Sequence, residues 1–136
     1  MKKNLTISAA CLINNQGEIL LVRKRGTTMF MQPGGKPETG ETALQTIIRE
    51  IREELGIDFT AEQLHFDGEW TGPAANEADT LIHASLYSAR YDGALTPLAE
   101  LEELLWIDPQ QALERDDLAP LLRDHVLPLA IARAKA

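Results

Sequence analysis

The stretch from Thr42 to Gly56 constrains the fold of this chain more than any other. Leu44, Ile47, Ile48, Ile51 and Leu55 recur at intervals of three and four, which places them on one stripe of an α-helix. Thr42 with Gln45 three positions later fits a capping box, and Gly56 fits a C-terminal stop. A helix is therefore predicted over Thr42 to Leu55, with an apolar stripe that has to be buried against something else. That requirement directs attention to the segments on either side.

Leu5 to Ile13 reads as a mostly buried strand, Asn14 to Gly17 as a turn, and Glu18 to Arg25 as the returning strand. The opening "MKKNLTISAACLI" loosely resembles a lipoprotein leader, but its apolar run is short and broken by Thr6 and Ser8, which favours the strand. Gly26 to Gly40 holds four Gly and two Pro and reads as a long loop. Leu64 to Trp70 and Thr80 to Arg90 read as strands, joined by a loop from Gly68 to Asp79. Leu104 to Asp108 reads as a short strand, and Leu118 to Ala136 as a terminal helix with Pro128 as a kink. This order predicts an α/β fold in which helices pack on a mixed sheet, with residues 1–136 forming one domain. No stretch approaches the roughly 20 apolar residues of a membrane span. With a single cysteine, Cys11, the chain can form no internal disulfide, so a reducing, cytoplasmic setting is expected. The formal net charge of −8 argues against a nucleic acid polymer as partner. Pairing of sheet edges leaves a homodimer open.

The helix also carries an acidic side. Glu50, Glu53 and Glu54 have the spacing of one face, in a direction different from the apolar stripe. Like charges so placed destabilise a bare helix by about 0.2–0.5 kcal/mol per pair. One reading is a solvated face paired with Arg49 and Arg52. The other is a hard, oxygen-seeking cation such as Mg²⁺, which converts the repulsion into coordination. The preceding "PGGKPETGE" adds Gly34, Gly35 and Gly40, which let backbone approach a metal or phosphate closely.

The spacing is more specific than the composition. Gly35 is followed by five residues and Glu41, then by seven and Arg49-Glu50-Ile51, then after one residue by Glu53-Glu54, and after Leu55 by Gly56-Ile57. This pattern resembles the Nudix box at every defining position. The resemblance implies an α/β/α sandwich with the box as loop–helix–loop, and a MutT-like hydrolase that cleaves a nucleoside diphosphate linked to another group with Mg²⁺ or Mn²⁺. It implies Glu50, Glu53, Glu54 and the backbone carbonyl of Gly34 as metal ligands, Arg49 as their orienting partner, and Glu41 as a support. Glu54 or Glu50 is the implied base. Glu100, with Glu103 close behind, is the implied carboxylate of a mobile loop, although "AELEE" reads equally as a solvated acidic turn.

Substrate-side candidates follow from the same resemblance. Of Arg23, Lys24 and Arg25, Arg23 is the expected phosphate contact, with Lys36 a second cation. Phe30 is the candidate to stack on a base, flanked by Met29 and Met31. Met31-Gln32 departs from the aromatic or leucine that many relatives place before the proline. Asn76 or Glu77 reads as a substrate contact or as plain loop. A small-molecule nucleotide is the expected partner. Nucleoside triphosphate hydrolysis to a monophosphate and pyrophosphate is the first reading. The alternatives are ADP-ribose or another nucleotide sugar, for which Pro73 is a marker, and a non-catalytic nucleotide-binding module, against which the complete glutamate set argues. His65, His83 and His125 have no metal-ligand spacing. Trp70 and Trp106 read as core or rim, and Cys11 as inert.

Overall fold

The computed structural model describes residues 3–74 and 78–134. Six strands, β1 (Lys3–Ile13), β2 (Ile19–Lys24), β3 (Gly34–Gly35), β4 (His65–Pro73), β5 (Thr80–Arg90) and β6 (Leu101–Ile107), form one mixed sheet. The helices are α1 (Ala43–Leu55), the short α2 (Pro109–Ala112) and α3 (Leu127–Ala134). Strand order is β4-β5-β1-β2-β6, with β3 also on β1. β1 runs parallel to β5 and antiparallel to β2 and β3.

The apolar runs explain the layering. In β2, Leu20 and Val22 join Ala10, Leu12 and the α1 residues Ile47, Ile51 and Leu55 in one core. Their neighbours Ile19 and Leu21 point the other way, into a second core with Ala9, Leu86, Leu118, Leu121, Leu122 and Leu127. A strand buried on both faces needs an unbroken apolar run, as β2 has. The sheet therefore lies between α1 on one face and the C-terminal helices on the other, the expected α/β/α sandwich. Each fully buried Leu or Ile contributes about 1.5–3 kcal/mol relative to exposure.

β1 and β2 pair only near their shared turn, at Ile13 and Ile19, and then diverge. Residues 31–35 fill the gap. Met31 and Val22 exchange backbone hydrogen bonds of 2.7 and 2.8 Å, Ala10 N–H donates to the Pro33 carbonyl at 2.9 Å, and Gly34 and Gly35 lie opposite Ala9 and Ser8. The expected loop over 26–40 is corrected here: its second half is seated in the sheet. Only glycine fits at 34, because a Cβ there would collide with the backbone of Ser8 and Ala9.

α1 forms as predicted. The Thr42 hydroxyl accepts from Gln45 N–H at 3.1 Å, and the Gln45 side-chain amide oxygen accepts from Thr42 N–H at 2.9 Å. Gly56 closes the helix at φ 73° and donates to the Arg52 carbonyl.

Elsewhere the boundaries move. β4 continues through Gly72-Pro73, because on an edge strand the missing proline N–H costs no ladder bond. β6 starts at Leu101 rather than Leu104. α2 was not anticipated, although Asp108-Pro109 is a helix-start signal: the Asp108 carboxylate accepts from the N–H groups of Gln110 and Gln111. Leu118 does not begin a helix. Its neighbours bond instead to Phe30, whose N–H donates to the Asp117 carbonyl and whose carbonyl accepts from Ala119 N–H. The expected kink at Pro128 is replaced by a widened turn over Leu122–Val126, in which Leu127 N–H reaches back five residues to Leu122. That turn absorbs the clash a proline makes with the carbonyl four residues earlier. Among the described residues, no helix is long and apolar enough to cross a membrane.

Candidate functional site

The outer face of α1 is organised around Arg49. Its Nε donates to Glu41 at 2.7 Å, its Nη1 to Glu50 at 3.1 Å and to Glu53 at 2.8 Å, and its Nη2 to the Lys36 carbonyl at 2.9 Å. Glu38 completes the cluster at 3.1 Å. One guanidinium thus holds four carboxylates and the loop ahead of the helix, through the charge-assisted bonds that arginine's planar fork favours. The hydrogen bonds from Arg49 hold the Glu41 carboxyl down at about 2, well below the usual range.

Glu54 sits one turn further along and is only 3% exposed. Its carboxylate accepts from Gly34 N–H at 3.2 Å. Burial, then the charge of Glu50, pushes its pKa up to about 8. Burial also raises the Glu50 carboxyl, against the pull of Arg49. Glu50, Glu53, Glu54, Ala99 and Glu100 line a cleft of about 410 Å³. Glu50 and Glu100 also border a second cleft of about 620 Å³, which Gly34, Gly35, Lys24 and Lys36 line as well. Its floor is apolar, formed by Leu5, Ile7, Ala9 and Ile82. Carboxylates beside cations at one end and an apolar floor at the other suit a ligand with a charged part and a flat, weakly polar part.

A family model for the Nudix domain matches residues 2–129. The chain belongs to the Nudix hydrolase family. It is 29% identical over 110 residues to the CTP pyrophosphohydrolase of Escherichia coli strain K12, a match that covers 77% of each chain. It is 35% identical over 88 residues to an uncharacterized Nudix hydrolase, orf19, of Rhodococcus erythropolis, where the match covers 57% of this chain but 45% of the relative. The fold is similar to that of the MutT protein from Methanosarcina mazei Go1, with a TM-score of 0.82 at 21% identity, covering 99% of this chain and 98% of that one.

Nudix hydrolases as a family require divalent metal ions. The donor set here fits such an ion in kind, since four carboxylates border one cleft and oxygen ligands suit hard cations. Gly35 adds a close backbone approach: a Cβ there would collide with the Glu50 carboxylate. Among the described residues, however, no three carboxylates are gathered closely enough to hold an ion as they stand. Arg49 supplies the positive charge to Glu50 and Glu53, and Glu54 turns to the Gly34 N–H.

Two substrate-side expectations for the Nudix chain need correction. Phe30 is 3% exposed and belongs to the core beneath the C-terminal helices, with Arg115 4.9 Å above its ring. It packs and cannot stack on a base. Arg23 lies outside both clefts, bonded to Glu103 at 2.9 Å and to the Thr27 carbonyl at 2.8 Å. The cation that borders the second cleft is Lys24, 3.8 Å from Glu100. The sequence held the signal: Lys24 shares the parity of Leu20 and Val22, which face α1, and Arg23 does not. Lys36 borders the same cleft, as does Met31. Glu100 follows Ala99, whose φ of 53° is a strained left-handed conformation. Glu103 is held by Arg23. Asn76 and Glu77 lie outside the described residues. Leu5, Ile7, Ile82 and Gln32 also line the second cleft and were not singled out as site residues.

Proposed function

We propose that this chain hydrolyses nucleoside triphosphates between the α- and β-phosphates, releasing a nucleoside monophosphate and pyrophosphate. The observation that carries the reading is the pair of adjoining clefts, which share Glu50 and Glu100 and join a carboxylate wall to an apolar floor. The similarity to a CTP pyrophosphohydrolase over 77% of each chain supports the triphosphate class. In this reading residues 1–136 act as one Nudix domain, on a small nucleotide.

Glu50, Glu53, Glu54 and the Gly34 carbonyl would hold Mg²⁺ or Mn²⁺. A bound divalent cation supplies charge neutralisation at phosphate oxygens and lowers the pKa of coordinated water. Arg49 fixes the directions of Glu50 and Glu53 and ties them to Glu41, so the carboxylates stay oriented without rearranging the helix. Glu54, in its ionised form, would accept the proton of the attacking water, from the wall of the cleft it shares with Glu50 and Glu100. Glu50 and Glu100 border the same cleft and are the alternative bases. Lys24 and Lys36 meet the phosphates at the mouth of the second cleft.

Release of nucleoside monophosphate with Mg²⁺, followed by chromatography across oxidised and unmodified nucleoside triphosphates, ADP-ribose and nucleotide sugars, tests the reading. Turnover of at least one triphosphate in preference to the sugar nucleotides is expected. Preference for ADP-ribose would transfer the assignment to that class, which Pro73 favours. Absence of any turnover would leave a binding module.

A further inference from the structure

Thr46 is a wholly buried polar residue in α1, at 0% exposure. It stands one turn before Glu50 and two before Glu54, so it shares their side of the helix and not the apolar stripe of Ile47, Ile51 and Leu55. A buried hydroxyl costs free energy unless it is bonded. The Thr46 Oγ1 lies 2.9 Å from the Thr42 carbonyl oxygen and 3.1 Å from Glu41 Oε1. It has one proton to give. The Thr42 carbonyl already accepts from Thr46 N–H at 3.0 Å, whereas the Glu41 carboxylate stays ionised well into acid and accepts a charge-assisted bond. Arg49 grips the same carboxylate at two points, Nε donating to Oε2 at 2.7 Å and Nη2 to Oε1 at 3.0 Å. Glu38 N–H donates to Oε1 at 2.8 Å. This two-point pairing fixes the plane of the guanidinium, and that plane sets where Nη1 meets Glu50 and Glu53.

We infer that Thr46 is a positioning residue: its hydroxyl anchors Glu41, and through the Glu41–Arg49 pair it keeps Glu50 and Glu53 presented to a divalent cation. Thr46 lines neither cleft. Its effect is transmitted by a carboxylate and a guanidinium, not by contact with cation or substrate. Removing the hydroxyl leaves Glu41 Oε1 with its two N–H donors and frees the carboxylate to turn, and Arg49 turns with it. The inference rests on the assignment of Glu50 and Glu53 to the metal, and it is independent of which nucleotide is hydrolysed.

Thr46→Val keeps the shape of the side chain and removes the donor, and Thr46→Ser restores a donor. Mn²⁺ affinity is measured by electron paramagnetic resonance on the metal alone, with thermal unfolding of each variant followed in parallel. Thr46→Val is expected to raise the Mn²⁺ dissociation constant by about threefold to tenfold, less than the roughly 10–100-fold lost when a direct partner of a metal ligand is removed. Thr46→Ser should recover most of that loss. In chelator-treated protein the Arg49 Nε–H, followed by ¹⁵N nuclear magnetic resonance, should exchange with solvent severalfold faster in Thr46→Val than in wild type. In a Glu41→Ala background Thr46→Val should weaken Mn²⁺ binding no further, because the path through Glu41 is already cut. If Thr46→Val does not fold, Thr46→Ala removes the same donor and takes its place. Unchanged Mn²⁺ affinity or an unchanged Arg49 exchange rate, with or without a shift in unfolding temperature, would confine the hydroxyl to the Thr42 carbonyl and overturns the inference. An equal loss in the Glu41→Ala background overturns it too, since the effect would then bypass Glu41. Failure of wild type to bind Mn²⁺ overturns the metal assignment and the inference together.

Discussion

At the scale of single residues, Glu54 is the most informative side chain. Its folded-state pKa of about 8 lies above the ordinary value of 4.5. The folded chain therefore keeps a proton that the unfolded chain releases as pH rises past 4.5. The stability contributed by Glu54 is full below that value and is lost as pH rises toward about 8. In chelator-treated protein, denaturant unfolding should show wild type losing a few kcal/mol relative to Glu54→Gln across this window. A flat difference would place Glu54 in contact with water. Phe30 is the second residue to probe. Phe30→Ala should cost about 3–5 kcal/mol of stability from the lost packing, whereas Phe30→Leu should fold and leave KM unchanged. A raised KM in Phe30→Leu would return the ring to the substrate. Spacing placed the three glutamates on one helix face, and the resemblance to the Nudix box supplied the roles expected of them and of Arg49. It could not show that Phe30 turns inward, because an aromatic beside a glycine-rich loop reads the same in a pocket as in a core.

At the scale of elements, α1 and β2 carry the account. The capping box on α1 is worth about 0.5–2 kcal/mol, so Thr42→Ala should lower the unfolding free energy by that amount. The parity of β2 gives a sharper expectation. Lys24→Ala should raise KM for a triphosphate severalfold, while Arg23→Ala, on the opposite face, should not. The reverse result would put Arg23, not Lys24, on the phosphate side of the sheet. The helix was legible because its signals are local: periodicity, cap and stop lie within fifteen residues. The seat of residues 31–35 between β1 and β2 was not, since it depends on pairing with strand residues some twenty-five positions away. The end of β4 and the start of β6 were misplaced for a related reason. Edge strands tolerate Pro73 and Glu102, residues that a central strand would refuse.

At the scale of the whole molecule, two cores on either side of one sheet follow from the unbroken apolar run in β2. Cys11 reports on that arrangement. Burial pushes its thiol up to about 12, so alkylation should be slow in the native state and should track global unfolding as denaturant is added. Rapid modification without unfolding would mean that the face beneath α3 opens locally. The acidic cleft asks the larger question, because Arg49 and the Gly34 N–H together hold carboxylates that the proposed reaction gives to a cation. Manganese titration followed by electron paramagnetic resonance, with the α,β-methylene analogue of CTP present, addresses it directly. Wild type should bind Mn²⁺, and Glu53→Gln and Glu54→Gln should each weaken binding by more than the roughly 10–100-fold typical of groups that only support metal ligands. Equal affinity in the variants, or no affinity in wild type, would contradict the assignment of these glutamates to the metal.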